Sequence, residues 1–131
     1  MSQLSNDLST YDIDNFIAHL NIDTENYYKK MTTERLRNLC SSYGLTRSGN
    51  KEQLIYKLLL DDNTLELEFE TRFMTYRPQL KFLKCNDYWE VYHHENGRKD
   101  LFACQIVKND KLHKYISDWV KDKQEKAKKM Q

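Results

Sequence analysis

The chain has little of what punctuates and cross-links small proteins: three glycines, one proline and three cysteines in 131 residues. The cysteines, Cys40, Cys85 and Cys104, are odd in number and form no CxxC pair. That excludes a disulfide framework and the common zinc patterns, and reads as reduced, partly buried thiols. No segment approaches the roughly 20 consecutive apolar residues of a membrane helix. The polar opening MSQLSNDLST has neither the basic nor the apolar region of a signal peptide. The expectation is an intracellular chain with no membrane contact. At this length one ordinary domain, or two very small ones, is expected, without room for a large catalytic core and a cofactor lobe.

A strong excess of one charge is also missing, since the formal net charge is +1 at pH 7. Its distribution is uneven: residues 1–26 carry −5, residues 27–60 carry +5, residues 61–107 carry −3 and residues 108–131 carry +4. Any attraction for an anionic partner is therefore local.

What is present divides into three parts. In residues 1–26, Ile13, Phe16, Ile17 and Leu20 share a helical face over about 11–20, with Thr10 as cap and Asp12 and Asp14 at the positive pole. This acidic segment reads either as a helix packed on the rest or as a negative arm competing with an anionic ligand. Thr24 is the candidate cap of a short turn through Tyr27 and Tyr28. In residues 27–62, Thr32 caps a helix over about 33–43 with Leu36, Leu39, Cys40 and Tyr43 on one face and Gly44 at its end. Asn50 and Gln53 have capping-box spacing and open a second helix with Leu54, Ile55, Leu58 and Leu59. In residues 63–131, Leu65, Leu67 and Phe69 alternate with Glu66, Glu68 and Glu70, which suggests a strand broken at Pro78. Further strands are expected at LKFLKC, YWEVYHH and DLFACQIV, with turns at Asn86-Asp87 and Asn96-Gly97. A last helix, capped near Asn109 or Asp110, carries Leu112, Tyr115, Ile116, Trp119 and Val120 on one side and a lysine-rich tail. The fold class read from this is α+β: a helical hairpin, an antiparallel β-meander and a long C-terminal helix.

The connection RSGN concentrates the features of a ligand site. The first amides of a helix lack internal partners and lie at its positive pole, so they suit a phosphate. Ser48, Gly49 and Asn50 are small enough to admit one, Arg47 and Lys51 flank it, Lys57 follows on the second helix, and Arg35 and Arg37 lie on the first. These eight residues form the candidate DNA-backbone footprint. If Arg47, Lys51 and Lys57 neutralise about three phosphates, the salt slope is about −2.7 and affinity falls about 40-fold between 50 and 200 mM salt. A second basic surface is then needed, and Lys121, Lys126, Lys128 and Lys129 are its candidates.

Residues 27–61, YYKKMTTERLRNLCSSYGLTRSGNKEQLIYKLLLD, resemble a SAP domain. The matching positions are Leu36, Leu39 and Cys40, the Gly44-Leu45 step, Gly49 and Lys51, and Leu54, Ile55 and Leu58. The resemblance implies a helix, extended loop and helix that bind duplex DNA without strong base reading, often at A·T-rich tracts, in a nuclear setting or on viral DNA. One position departs from the family pattern, with Lys57 where an arginine is frequent, which keeps the charge and loses bidentate phosphate contact.

Cys85, His93, His94 and Cys104 do not make a zinc set, because adjacent histidines on a strand point to opposite faces. No glycine-rich oxyanion loop or orienting acid accompanies a cysteine nucleophile, so no enzyme activity, cofactor or metal is expected. Trp89, Tyr88 and Tyr92 read either as core or as a platform for unpaired bases. The expected function is a non-enzymatic DNA-binding protein whose residues 63–131 serve assembly, a protein partner or additional contact. The alternative is an interaction protein whose hairpin docks a protein.

Overall fold

The computed structural model describes the backbone of residues 2–4, 10–95 and 104–131, and the side chains from residue 12 onward within those stretches. The fold is α+β. In chain order it runs β1 (Ser2–Leu4), α1 (Thr10–Leu20), α2 (Glu25–Lys29), α3 (Thr33–Ser42), α4 (Lys51–Asp62), β2 (Thr64–Leu67), β3 (Phe69–Glu70), β4 (Thr75–Tyr76), β5 (Gln79–Lys84), β6 (Tyr88–His94), β7 (Cys104–Lys108), a 3-10 turn (Asn109–Lys111) and α5 (Leu112–Lys129). No helix among the described residues is long and apolar enough to cross a membrane.

Five strands form a sheet in the order β1-β2-β5-β6-β7, and β3 pairs with β4 in a separate short ladder. The meander is antiparallel from β2 onward, with Leu65 opposite Leu80, Phe82 opposite Val91 and Trp89 opposite Val107. The N-terminal β1, absent from the sequence expectation, adds a parallel edge that sets Ser2 against Leu65. The tight turn after β5 is closed by the Cys85 N–H on the Tyr88 carbonyl at 3.0 Å. The expected Asn96-Gly97 turn and residues 100–103 of the DLFACQIV strand lie outside the described residues.

Helices α1 and α5 cover one face of the sheet. Ile13, Phe16 and Leu20 of α1 meet Leu112, Ile116, Trp119 and Val120 of α5 over Leu65, Leu80, Phe82, Trp89, Val91 and Val107. The Phe16 and Phe82 ring centroids lie 5.4 Å apart, and Phe82 meets Trp89 edge-on at 6.4 Å. Each such large apolar side chain contributes about 1.5–3 kcal/mol by leaving water. Trp89 is therefore not a base platform, being 1% exposed at the centre of this core. The first helix is likewise a structural layer, with its apolar face in the same core.

A second, smaller core holds the helical hairpin: Tyr28, Leu36, Cys40, Leu54, Ile55 and Leu58, with Met31, Leu39, Leu45 and Leu59 packed against it. Asn63 alone separates α4 from β2. His19 Nε2 of α1 crosses to the hairpin by donating to the Asp62 carbonyl at 2.8 Å, and within the hairpin the Tyr28 hydroxyl donates to the Asp62 carboxylate.

Three expected caps differ. Thr24 makes no side-chain bond at the start of α2; Asp23 accepts instead from the backbone N–H and side-chain amide of Asn26, at 3.4 and 2.8 Å. At the start of α5 neither Asn109 nor Asp110 caps, because the 3-10 turn feeds directly into the helix. Helix α1 begins at Thr10 itself, whose side chain lies outside the described residues.

Candidate nucleic-acid interface

The loop between α3 and α4 is shaped by local chemistry at both ends. Thr32 Oγ1 accepts the Arg35 N–H at 3.2 Å and starts α3. At its end Gly44 takes φ 74°, and the Leu45 and Gly44 N–H groups donate to the Cys40 and Ser41 carbonyls at 2.8 and 3.1 Å. These two bonds are the Schellman pattern, for which a residue without Cβ is favoured. At the start of α4, Asn50 Oδ1 accepts the Gln53 N–H and Gln53 Oε1 accepts the Asn50 N–H, both at 2.9 Å. The capping box is thus complete, and the Gln53 amide is already satisfied.

Gly49 has a different use from the one its sequence position suggested. At φ 111°, a Cβ at this residue would lie 2.8 Å from Gln53 Oε1 and 3.0 Å from Gln53 Cβ. The space it leaves is occupied by the capping glutamine.

The candidate cations gather around this loop but most are already engaged. Lys57 points back under it, its ammonium donating to Thr46 Oγ1 at 2.6 Å, the Ser48 carbonyl at 2.7 Å and the Thr46 carbonyl at 3.4 Å. Lys51 donates to the Lys29 carbonyl at 2.8 Å and so binds the end of α2 to the start of α4. Arg47 reaches across to α3, with Nη1 on Asn38 Oδ1 at 2.9 Å and Nη2 on Glu34 Oε1 at 3.5 Å. Arg37 also pairs with Glu34, at 3.8 Å, while Arg35 is exposed on the neighbouring face of α3. Arg47, Ser48, Gly49 and Asn50 are all exposed. The Lys51 bond brings in two lysines not singled out by spacing, Lys29 and Lys30, both exposed at the end of α2. Only a prediction of how α2 folds back on α4 would have found them.

A shallow groove runs beside the loop, lined by Ser48, Gly49, Glu52, Gln53, Tyr56 and Lys57. On the other side of α3 a cavity of about 520 Å³ opens between α2, α3 and the end of α4, walled by Tyr27, Tyr28 and Tyr43, with Arg35 at its lining. Burial pushes the Tyr28 hydroxyl far above its ordinary pKa, reinforced by Asp62. Burial also raises the Asp62 carboxyl, against the opposing hydrogen bond from Tyr28. The Cys40 thiol is raised by burial as well, and behaves as a small apolar core residue.

Among the other candidates, Lys121, Lys128 and Lys129 are exposed on α5, whereas Lys126 pairs with Glu95 at 3.1 Å. His93 turns toward α5 and meets the Tyr115 hydroxyl at 2.6 Å. Tyr88 and Tyr92, half-buried, alternate with Trp89 and Val91 and so lie on the sheet face away from α1 and α5.

No curated protein and no solved structure matches the chain. The SAP domain family model matches residues 28–59, from the buried Tyr28 through both helices to Leu59, and that match suggests nucleic-acid binding for this segment at the family level.

Proposed function

We propose that the chain is a non-enzymatic protein that binds duplex DNA through its hairpin, with the phosphate backbone lying against the amino end of α4 and the 46–50 loop. The observation that carries this reading is the SAP family match over residues 28–59, which falls on the hairpin whose connection gathers Arg47, Lys51, Lys29 and Lys30. The unsatisfied Lys51 and Glu52 amides of the first turn supply the backbone donors. Arg47, Ser48, Asn50 and Lys51 make the direct contacts, and Arg35 and Arg37 extend the positive face. Lys57 acts from behind, as the ammonium that sets the shape of the loop. Gly49 permits that shape. A setting on nuclear or viral DNA, and a preference for A·T-rich tracts, follow from the family's habits. Residues 63–131 serve assembly, a protein partner or further contact, and the loop alone is too weak at physiological salt.

The test is fluorescence anisotropy of the full chain on a duplex across a salt series. Arg47→Ala/Lys51→Ala is expected to weaken binding and to make the salt slope shallower by about 1.8, for two phosphates. Equal affinity and slope in a variant that still unfolds cooperatively would sink the reading.

A second reading is favoured by one observation: Tyr27 and Tyr43 are 53% and 49% exposed around the 520 Å³ cavity. In that reading the hairpin docks a protein partner there. A co-purifying protein that is lost on Tyr27→Ser/Tyr43→Ser, with no duplex binding at low salt, would favour it over DNA.

A further inference from the structure

Exposed apolar surface and positive charge without an ion pair among the described residues coincide where the β3–β4 turn meets the end of α5. The β2–β3 arm leaves α4 at Asn63 and turns at Thr71–Met74, so its tip stands about 25 Å from the junction at ~3.3 Å per residue. Helix α5 runs the same way, its 18 residues spanning about 27 Å from the end of β7. Its far end rests on the arm: Gln131 Nε2 donates to the Glu70 carbonyl at 3.1 Å, and Lys126 lies 5.4 Å from the Tyr76 ring centroid.

The tip reads Arg72-Phe73-Met74. Phe73 is 78% exposed and Met74 44%. They are presented by a closed turn, in which the Thr71 N–H donates to the Met74 carbonyl at 3.0 Å and the Met74 N–H to Thr71 Oγ1 at 3.2 Å. The Arg72 guanidinium lies 5.7 Å from the Phe73 ring centroid. Three carboxylates at this end are engaged, Glu68 by Arg77 at 3.1 Å, Glu70 by the Thr75 hydroxyl, and Glu95 by Lys126 and Lys123, while the exposed Glu125 lies on α5 one turn before Lys128 and Lys129. Arg72, Lys128 and Lys129 carry no ion pair among the described residues.

We propose that this tip, together with the lysine-rich end of α5, is a second nucleic-acid contact, in which Phe73 packs against or between base pairs while Arg72, Lys128 and Lys129 take phosphates. The inference rests on the reading that the chain binds duplex DNA. Apolar wedges set among cations are the means by which proteins unstack and kink a base step, at a cost the surrounding phosphate contacts offset. A rigid turn suits that use, because little order is lost on insertion. A protein partner suits it less, since two exposed apolar side chains fall far short of the roughly 800 Å² each partner buries in a stable complex. This contact would be the second surface that the weak loop requires.

The experiment uses the full chain and a duplex carrying 2-aminopurine at a pyrimidine–purine step. Phe73→Ala is expected to weaken binding about five- to tenfold with the salt slope unchanged, and to abolish the fluorescence rise that reports unstacking. Phe73→Trp should restore both. Arg72→Gln/Lys128→Gln/Lys129→Gln should make the slope shallower by up to about 2.7. If both tip variants bind like wild type while Arg47→Ala/Lys51→Ala still weakens binding, the tip is no contact and the hairpin reading stands. If the tip variants weaken binding and the loop variant does not, the hairpin reading fails and the tip stands. A change in sedimentation coefficient of Phe73→Ala without DNA, with duplex affinity intact, would make the tip a self-association surface and overturn the proposal.

Discussion

Lys57 decides between two ways in which a lysine near a DNA-binding loop can act. Its ammonium makes three hydrogen bonds, at 2.6, 2.7 and 3.4 Å, to Thr46 and Ser48, which uses its three protons on the loop's own backbone and hydroxyl oxygens. Charged donors are worth about 1.5–3 kcal/mol to buried partners, and discounting for the half-exposed setting leaves about 1–2 kcal/mol. Lys57→Met should therefore lower Tm by about 3–8 °C for a chain of this size. With the loop no longer held, only a fraction of molecules present it correctly, and duplex affinity should fall about three- to tenfold at every salt concentration. The slope of log K against log salt should not change. A direct phosphate contact predicts the opposite pattern: wild-type Tm and a slope shallower by about 0.9. Lys57→Arg sharpens the contrast, because the planar fork cannot follow all three acceptors, whereas a phosphate would accept it readily. Thermal unfolding and anisotropy on the same preparation read both quantities. A Lys57→Met protein with unaltered Tm and reduced slope would refute the staple.

Two further outcomes follow from the same geometry. Gly49→Ala should cost about 1–3 kcal/mol, through the strain of a side chain at φ 111° and the collision with Gln53; Gly49→Ala/Gln53→Ala removes the contact with Oε1 but keeps the one with Cβ at 3.0 Å and loses the capping box, so urea midpoints should show at most partial recovery. At Glu95 burial raises the carboxyl, but the hydrogen bond and charge of Lys126, with Tyr76 and Lys123, outweigh it and hold the group below its ordinary value of 4.5. The stability it contributes is present above that value and lost as pH falls through the lower folded value, so Glu95→Gln should flatten the acid limb of a stability profile between about pH 6 and pH 3. An acid limb identical to that of wild type would remove Glu95 from the account.

The parts legible in the sequence were those whose causes are local. Thr32, Gly44, Asn50 and Gln53 act within four residues of the helix ends they define, and α3 starts and stops, and α4 starts, where those residues direct. The inward stripe of α5 was equally plain, since Leu112, Ile116, Trp119 and Val120 follow the helical period. What escaped depends on contacts across the chain. Spacing placed Lys57 and Lys51 near the loop but could not say that Lys57 turns its protons into it, toward Ser48, while Lys51 donates away from it, to the Lys29 carbonyl of α2. Strand alternation fixed that Trp89 and Tyr88 lie on opposite faces, but which face the helices cover is a tertiary choice. A three-residue strand such as β1 carries too little pattern to register at all.

The joint at Asp62 has a mechanical meaning. A module carried on a flexible linker can reorient freely and tells the rest of its protein nothing about direction. Here one residue, Asn63, separates α4 from β2, and His19 and Tyr28 both grip Asp62. The hairpin is mounted like a bracket, and whatever it holds is held at one bearing relative to the sheet and α5. The molecule fixes an angle where a tether would fix only a distance.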